Sequence, residues 1–422
     1  MGKLVIQGQN RLEGKLSVHG SKNSVLPILA ATVVGRGQSV IENCPDLSDT
    51  AAACDILRQL GCNVWLENGA AIVENGGYGS NKIPEKLMRK MRSSVMFLGA
   101  ILSREGSAVI SFPGGCELGP RPIDLHISAL SQMGVKFKEE GGYLYCTCPR
   151  GLQGAEVTLS IPSVGATENV MLAAVCAKGD TVIINAAREP EIEDLANFLN
   201  KMGAKISGAG SDSMRISGVS ALHGTCHTII PDRIVATTYI LGAVMAGGHC
   251  RIEGINTRHM SSVLAELKEM DIPLKIEDDS VTVKSEKRPR APKLIRTAYY
   301  PGFPTDAQAL MMALASICNG SSMFIETVFQ SRYKHVGELA RMGANIHVEQ
   351  RVAVVDGVER LWGANVEATD LRGGAALMIA ALAAEGTTVI DRIDHIDRGY
   401  EHPEVLLREL GANIQRIQDD EV

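Results

Sequence analysis

Residues 191–206 read EIEDLANFLNKMGAKI, and the fold is decided in them. Ile192, Leu195, Leu199 and Met202 recur at helical spacing, which predicts an amphipathic helix with one apolar stripe. Gly203 supplies the stop, because glycine enters the left-handed conformation that closes a helix, and the residues after it turn to strand. The same phrase, Leu-x-x-Leu/Met-Gly before a short apolar run, starts at Leu57, Leu130, Leu339 and Leu407. It starts once more at Leu267, with Asp271 in the glycine's place, and the copies lie 68 to 73 residues apart. A second ladder, a glycine followed by a β-branched or apolar run, stands at Gly37, Gly106, Gly179, Gly248, Gly320 and Gly386. Two ladders with a common period mark six copies of one repeat.

Each repeat has the same order. Ahead of the second ladder runs a helix of small apolar residues, as in NVMLAAVCAKG (169–179) and AALMIAALAAEG (375–386). Such a helix is apolar almost all round and is predicted to be buried between layers. A strand, the amphipathic helix and two closing strands follow, so the repeat is βαβαββ. Six repeats exceed one core, which predicts an α/β protein of two domains with three repeats each. The break is expected near SALHGTCHTIIPDR (220–233), between the third and fourth repeats. The charged stretch KSEKRPRAPK (284–293) falls inside a repeat interval and reads as a loop. Asp271 predicts a helix end of a different kind from its five glycine counterparts.

Composition narrows the function. The chain has 422 residues, 45% hydrophobic and 21% charged, which fits a folded globular protein. A net charge of -6 disfavours a general nucleic-acid binder, which needs a basic face. MGKLVIQGQN has no apolar signal core and the apolar run 375–384 is far short of a bilayer span, so a cytoplasmic protein without membrane insertion is expected. The ten cysteines are scattered, several of them within apolar patterns, and read mostly as buried thiols. Cys146 and Cys148 lack a second pair at zinc spacing, so no metal site is expected. GSKNS (20–24) is not a Walker loop, and no G-x-G-x-x-G follows a strand.

The polar residues collect at two junctions of the repeat. Where the first helix begins stand Lys22 and Asn23, Arg92, Ser163 to Asn169, Asp232 and Arg233, Asp306, and Asp370 with Arg372. Ser163, Asp232 and Asp370 each read as a helix cap when taken singly. Ahead of the second helix stand Cys116 with Arg121, then Arg188, Arg258, Arg332 and Arg398. Cations there oppose the helix dipole, and their repetition points to an anionic ligand. Equivalent slots lie at one end of each three-repeat domain, so a cation-lined cleft between the domains is expected, suited to a ligand with phosphates and a carboxylate.

In order along the chain, GSKNS, PGGCELGPRPIDLH, SVGAT, NAAREPEI, IPDRI, FPTD, TDLR and HIDRGYE resemble the enolpyruvyl transferases over essentially the whole length. The cysteine loop followed by RPIDLH separates the chain from the 3-phosphoshikimate branch. The resemblance implies a two-domain inverse α/β barrel-like fold with three βαβαββ repeats per domain. Residues 22–229 would form the first domain, and 1–21 with 230–422 the second. It implies transfer of the enolpyruvyl group of phosphoenolpyruvate to the 3'-hydroxyl of UDP-N-acetylglucosamine with release of phosphate. That is the first committed step of bacterial peptidoglycan synthesis, and it needs no metal or organic cofactor. Cys116 would donate the proton and form a covalent adduct, its thiol made acidic by cations; Asp306 would take the proton of the sugar hydroxyl. Lys22, Arg121 and Arg398 would hold the phosphate of phosphoenolpyruvate, Arg332 and Arg372 its carboxylate, and Asn23 the tetrahedral ketal. The nucleotide sugar would meet Arg92, Arg121, Pro122, Ile123, Asp124, Leu125, Ser163, Val164, Gly165, Asp306 and Val328. Two departures stand out. Ile161 replaces a lysine that touches the nucleotide in some members, and Val235 replaces the acidic residue after DRI. A monomer is expected. The alternatives are shikimate 3-phosphate as acceptor, a non-catalytic nucleotide-sugar-binding paralogue and, last, a nucleotide-dependent ligase or cyclase.

Overall fold

A computed structural model describes residues 2–76, 79–112 and 123–418. The chain divides into two compact units. One, the terminal unit, holds residues 2–19 and 231–418; the other, the inner unit, holds 20–112 and 123–230. Each has its own hydrophobic core.

Among the described residues the strands form six small sheets. The third repeat shows the plan. Glu156–Thr158 pairs in parallel with Asp180–Ile184, which pairs antiparallel with Ser213–Ser217, whose far side takes Lys205–Ser207. In chain order the strands therefore lie first, second, fourth, third. The other sheets keep this order, and in the second repeat the first strand shrinks to a single bridge, Lys82 to Val109.

Three strands do not stay with their sequence neighbours. Glu13–Ser17, just ahead of the first apolar helix, pairs with His249–Glu253 of the fourth repeat. The first repeat is completed by Cys226–Thr228, parallel to Gly37–Glu42. In the sixth sheet Gly2–Gln7 takes the fourth position, between Thr387–Asp391 and Asn413–Gln418.

The small-residue helices are buried as their composition predicts. Arg233–Ala246, Thr305–Ala315 and Leu371–Ala383 pack against one another at the centre of the terminal unit. In the inner unit Phe97–Glu105 packs against both Lys22–Ala31 and Val164–Ala174. Gly99 is what lets two of these helices touch, since a Cβ there would lie 2.3 Å from the Asn169 carbonyl oxygen. The amphipathic helices cover the outside, and Pro190–Lys201 buries Ile192, Leu195 and Leu199.

Asp271 requires a correction. It sits at φ 58°, in the same left-handed region as Gly203 at 103° and Gly343 at 92°, so this helix ends as the others do. Aspartate is among the few non-glycine residues that tolerate the conformation. Residues 285–293 lie between the strands Ser280–Lys284 and Leu294–Arg296, as the loop reading expects.

Candidate active site

In the inner unit Lys22 opens its helix, where a cation opposes the dipole. Its Nζ lies 2.7 Å from Asp49 Oδ2 in the first turn of the helix Ser48–Gln59, and both side chains are buried. A buried charge needs such a partner. Asn23 is half-buried beside it, and Arg92 is half-buried at the start of a 3-10 turn.

The Ser163–Gly165 segment is set by capping. Ser163 Oγ accepts from the Ala166 N–H at 3.3 Å, and Thr167 donates back to the Ser163 carbonyl at 2.8 Å. Val164 and Gly165 form the helix's first turn. Gly165 faces the ring of His126, and a Cβ there would stand 3.1 Å from His126 Cε1. Ile123 is the buried residue ahead of the helix Asp124–Gln132; Asp124 is exposed and Leu125 half-buried.

His126 is buried, and its tautomer can be deduced. The Gly99 N–H donates to Asn169 Oδ1 at 2.7 Å, which fixes the amide so that Nδ2 carries the hydrogens. Those go to the Val95 carbonyl at 2.9 Å and to His126 Nδ1 at 2.7 Å. Nδ1 is therefore an acceptor and the proton sits on Nε2. Burial, then Arg92, lowers the ring to about 4, with Asp124 opposing, so it is neutral at pH 7. RPIDLH contains this histidine, but nothing in its spacing showed the lock on Asn169.

The terminal unit gathers the other charges. Asp306, in the first turn of Thr305–Ala315, meets Arg332 Nη2 at 2.6 Å on one oxygen and Arg372 Nη2 at 3.3 Å on the other. Both arginines are buried at 3–4% side-chain exposure, whereas Asp306 keeps 28%. Burial alone would raise its carboxyl. Arg372, Arg332 and Arg233 outweigh that and hold it well below the usual carboxylate range. Arg372 also donates to the Tyr400 hydroxyl at 3.4 Å, which lies 2.8 Å from the Thr238 hydroxyl. Arg332 is supported by the Thr305 carbonyl at 3.2 Å and by the Phe329 ring at 5.3 Å.

The cap readings hold. Asp232 accepts from the Ile234 and Val235 N–H groups, and Asp370 from those of Arg372 and Gly373. Glu326 is a support the sequence did not announce. It accepts from the Val328 and Phe329 N–H groups at 2.8 and 3.0 Å and from the Thr305 hydroxyl at 2.9 Å, tying Val328 to the turn that carries Asp306. Arg398 is half-buried, next to Asp397. Two cations of the repeated slots face solvent instead. Arg188 is exposed, and Arg258, at 82% side-chain exposure, stands 3.9 Å from Asp278. Val235 lies in the core of its helix and Ile161 is exposed. Among the described cysteines only Cys226 is exposed. Cys116, Arg121 and Pro122 lie outside the described residues.

A fold of this kind is one that enolpyruvyl transferases use. The family model described as EPSP synthase (3-phosphoshikimate 1-carboxyvinyltransferase) matches residues 6–416. The crystal structure of the enolpyruvyl transferase NikO from Streptomyces tendae superposes with a TM-score of 0.89 at 26% identity, covering 98% of each chain. EPSP synthase from Acinetobacter baumannii gives 0.75 at 18% identity, over 99% of this chain and all of that one, and speaks for the fold alone. UDP-N-acetylglucosamine 1-carboxyvinyltransferase 2 of Caldanaerobacter subterraneus is 51% identical over 99% of this chain and its own full length. The protein of that name from Carboxydothermus hydrogenoformans is 48% identical over 99% of this chain and its own full length. The chain belongs to the UDP-N-acetylglucosamine 1-carboxyvinyltransferase family.

Proposed function

We propose that the protein transfers the enolpyruvyl group of phosphoenolpyruvate to the 3'-hydroxyl of UDP-N-acetylglucosamine and releases phosphate, as the committing step of peptidoglycan synthesis. What carries this is the full-length likeness to UDP-N-acetylglucosamine 1-carboxyvinyltransferases, 51% identity to the Caldanaerobacter subterraneus protein. The charge distribution supports it, with a buried Lys22–Asp49 pair in the inner unit and the Arg332–Asp306–Arg372 group in the terminal unit.

The reaction is an addition followed by an elimination. Cys116 gives a proton to carbon 3 of phosphoenolpyruvate while Asp306 takes the proton of the sugar hydroxyl, whose oxygen bonds to carbon 2. Asn23 steadies the resulting ketal. Loss of a proton from carbon 3 and of phosphate from carbon 2 then restores the double bond. In a side branch the Cys116 thiol adds across the same double bond, its proton going to carbon 3 and its sulfur to carbon 2, which gives a covalent adduct. Lys22, Arg121 and Arg398 hold the phosphate, and Arg332 and Arg372 the carboxylate, since guanidinium suits bidentate contact. The nucleotide sugar lies along Arg92, Arg121 to Leu125, Ser163 to Gly165 and Val328.

Asp306 is fully ionised but weakly basic while both arginines bear on it. A substrate carboxylate that divides their donors restores its basicity, which couples base strength to occupancy by phosphoenolpyruvate. Phosphate release is measured with phosphoenolpyruvate and either UDP-N-acetylglucosamine or shikimate 3-phosphate. Release only with the nucleotide sugar is the expected result. Release only with shikimate 3-phosphate, or with neither acceptor in a folded protein, overturns the assignment.

A further inference from the structure

The segment from Asp397 to Glu404 carries two groups that the proposed reaction uses, Arg398 directly and Tyr400 through its contact with Arg372. It runs from just past the 3-10 turn Ile393–His395 into the first turn of the helix Pro403–Glu409, and no strand ladder holds it. The backbone turns left-handed at Arg392, φ 58°, and at His402, φ 40°, positions that ordinary side chains resist. Such a path persists only when surrounding contacts over-determine it.

Arg416 supplies those contacts. Its Nη2 and Nη1 meet the two Asp397 oxygens at 2.7 and 2.9 Å, and its Nε and Nη2 meet the two Glu404 oxygens at 3.0 and 3.1 Å. One guanidinium therefore grips both ends of the segment, each by a two-point contact. Glu404 is nearly buried at 7% side-chain exposure, and Arg416 itself keeps 25%, so these contacts are only partly screened by water. The guanidinium springs from a fixed base. Arg416 lies on the strand Asn413–Gln418, opposite Leu4 of the strand Gly2–Gln7.

We propose that Arg416 is a positioning residue for anion binding, a staple that sets where Arg398 stands and how Tyr400 meets Arg372. This rests on the assignment of Arg398 and Arg372 to the anions of phosphoenolpyruvate. Lysine does not replace the staple, because a point charge cannot make two-point contacts with two carboxylates at once.

The test compares the full-length parent with Arg416→Gln and the milder Arg416→Lys. Phosphate-release kinetics, hydrogen exchange of residues 396–404 and melting temperature are followed together. For Arg416→Gln the KM for phosphoenolpyruvate rises at least tenfold, the KM for UDP-N-acetylglucosamine stays within twofold, and the segment exchanges faster; Arg416→Lys recovers only part of the loss. Lower melting with an unchanged KM for phosphoenolpyruvate overturns the proposal and leaves Arg416 a structural ion pair. A parent that releases no phosphate refutes the activity instead. The staple is then judged by inorganic phosphate, whose protection of the segment must be weaker in Arg416→Gln than in the parent, and equal protection overturns it.

Discussion

Asp306 bonds to two arginines that are nearly sealed from solvent while it remains partly open. Asp306→Asn removes the carboxylate that both guanidiniums share, and a loss of about 3 kcal/mol is expected, together with most of the turnover. The pH dependence has a definite sign. A folded-state carboxyl held below its unfolded value of about 3.9 stabilises the fold above that value, and the contribution fades as pH falls further. The gap in melting temperature between parent and Asp306→Asn should stay constant from neutral pH to about pH 5 and begin to close only below about pH 4. Cys116 gives the second residue-level expectation. Cys116→Ala should lose most phosphate release, whereas Cys116→Asp, which still offers a proton, should keep part of it and resist thiol-directed epoxides such as fosfomycin. Three of the other thiols are poor targets, since burial pushes Cys54 up to about 11 and Cys146 and Cys318 up to about 12.

At the scale of elements, side chains from one segment hold the carbonyls and rings of another. Arg288, in the charged loop, donates to the carbonyls of Ile317, Cys318, Gly357 and Val358 at 2.7 to 2.8 Å. It ties the turn after the helix Thr305–Ala315 to the loop at Gly357 and Val358, so Arg288→Ala should lower stability by about 2 kcal/mol, read from denaturant midpoints, with the KM values unchanged. His126 fixes the helix Asp124–Gln132 to Asn169 in its neutral form. Its folded value of about 4 lies below the unfolded value of about 6.5, so stability is full above the latter and falls toward the former. His126→Gln should flatten the fall in stability between neutral pH and about pH 5 by about 2 kcal/mol, because a neutral amide has no proton to gain. Helices were legible because their stripes and stops are written in adjacent residues, as at Ile192 to Gly203. Supports such as Asp49, Glu326 and Arg416 were not, because each is one ordinary charged residue whose partner lies far off in sequence or on another element.

At the scale of the whole molecule the six-fold repeat was plain from the two glycine ladders, and so was the burial of its small-residue helices. The sheet a short strand joins was less plain. Cys226–Thr228 has three residues, and its pairing with Gly37–Glu42 is settled by contacts almost two hundred positions away. Gly2–Gln7 likewise sits between the last two long strands. Deleting residues 2–7 should expose both their edges and split calorimetric melting in two, with the terminal unit unfolding early and the inner unit keeping its transition; a single unshifted transition would contradict this. The same placement bears on synthesis. A ribosome makes Gly2–Gln7 and Glu13–Ser17 before the inner unit, yet their partners Thr387–Asp391 and His249–Glu253 emerge only after the whole inner unit has been translated. The inner unit can close while the chain is still growing, but Glu13–Ser17 waits unpaired until residues 249–253 have been made and Gly2–Gln7 until residues 387–391 have, which leaves this segment of the nascent chain open to a chaperone.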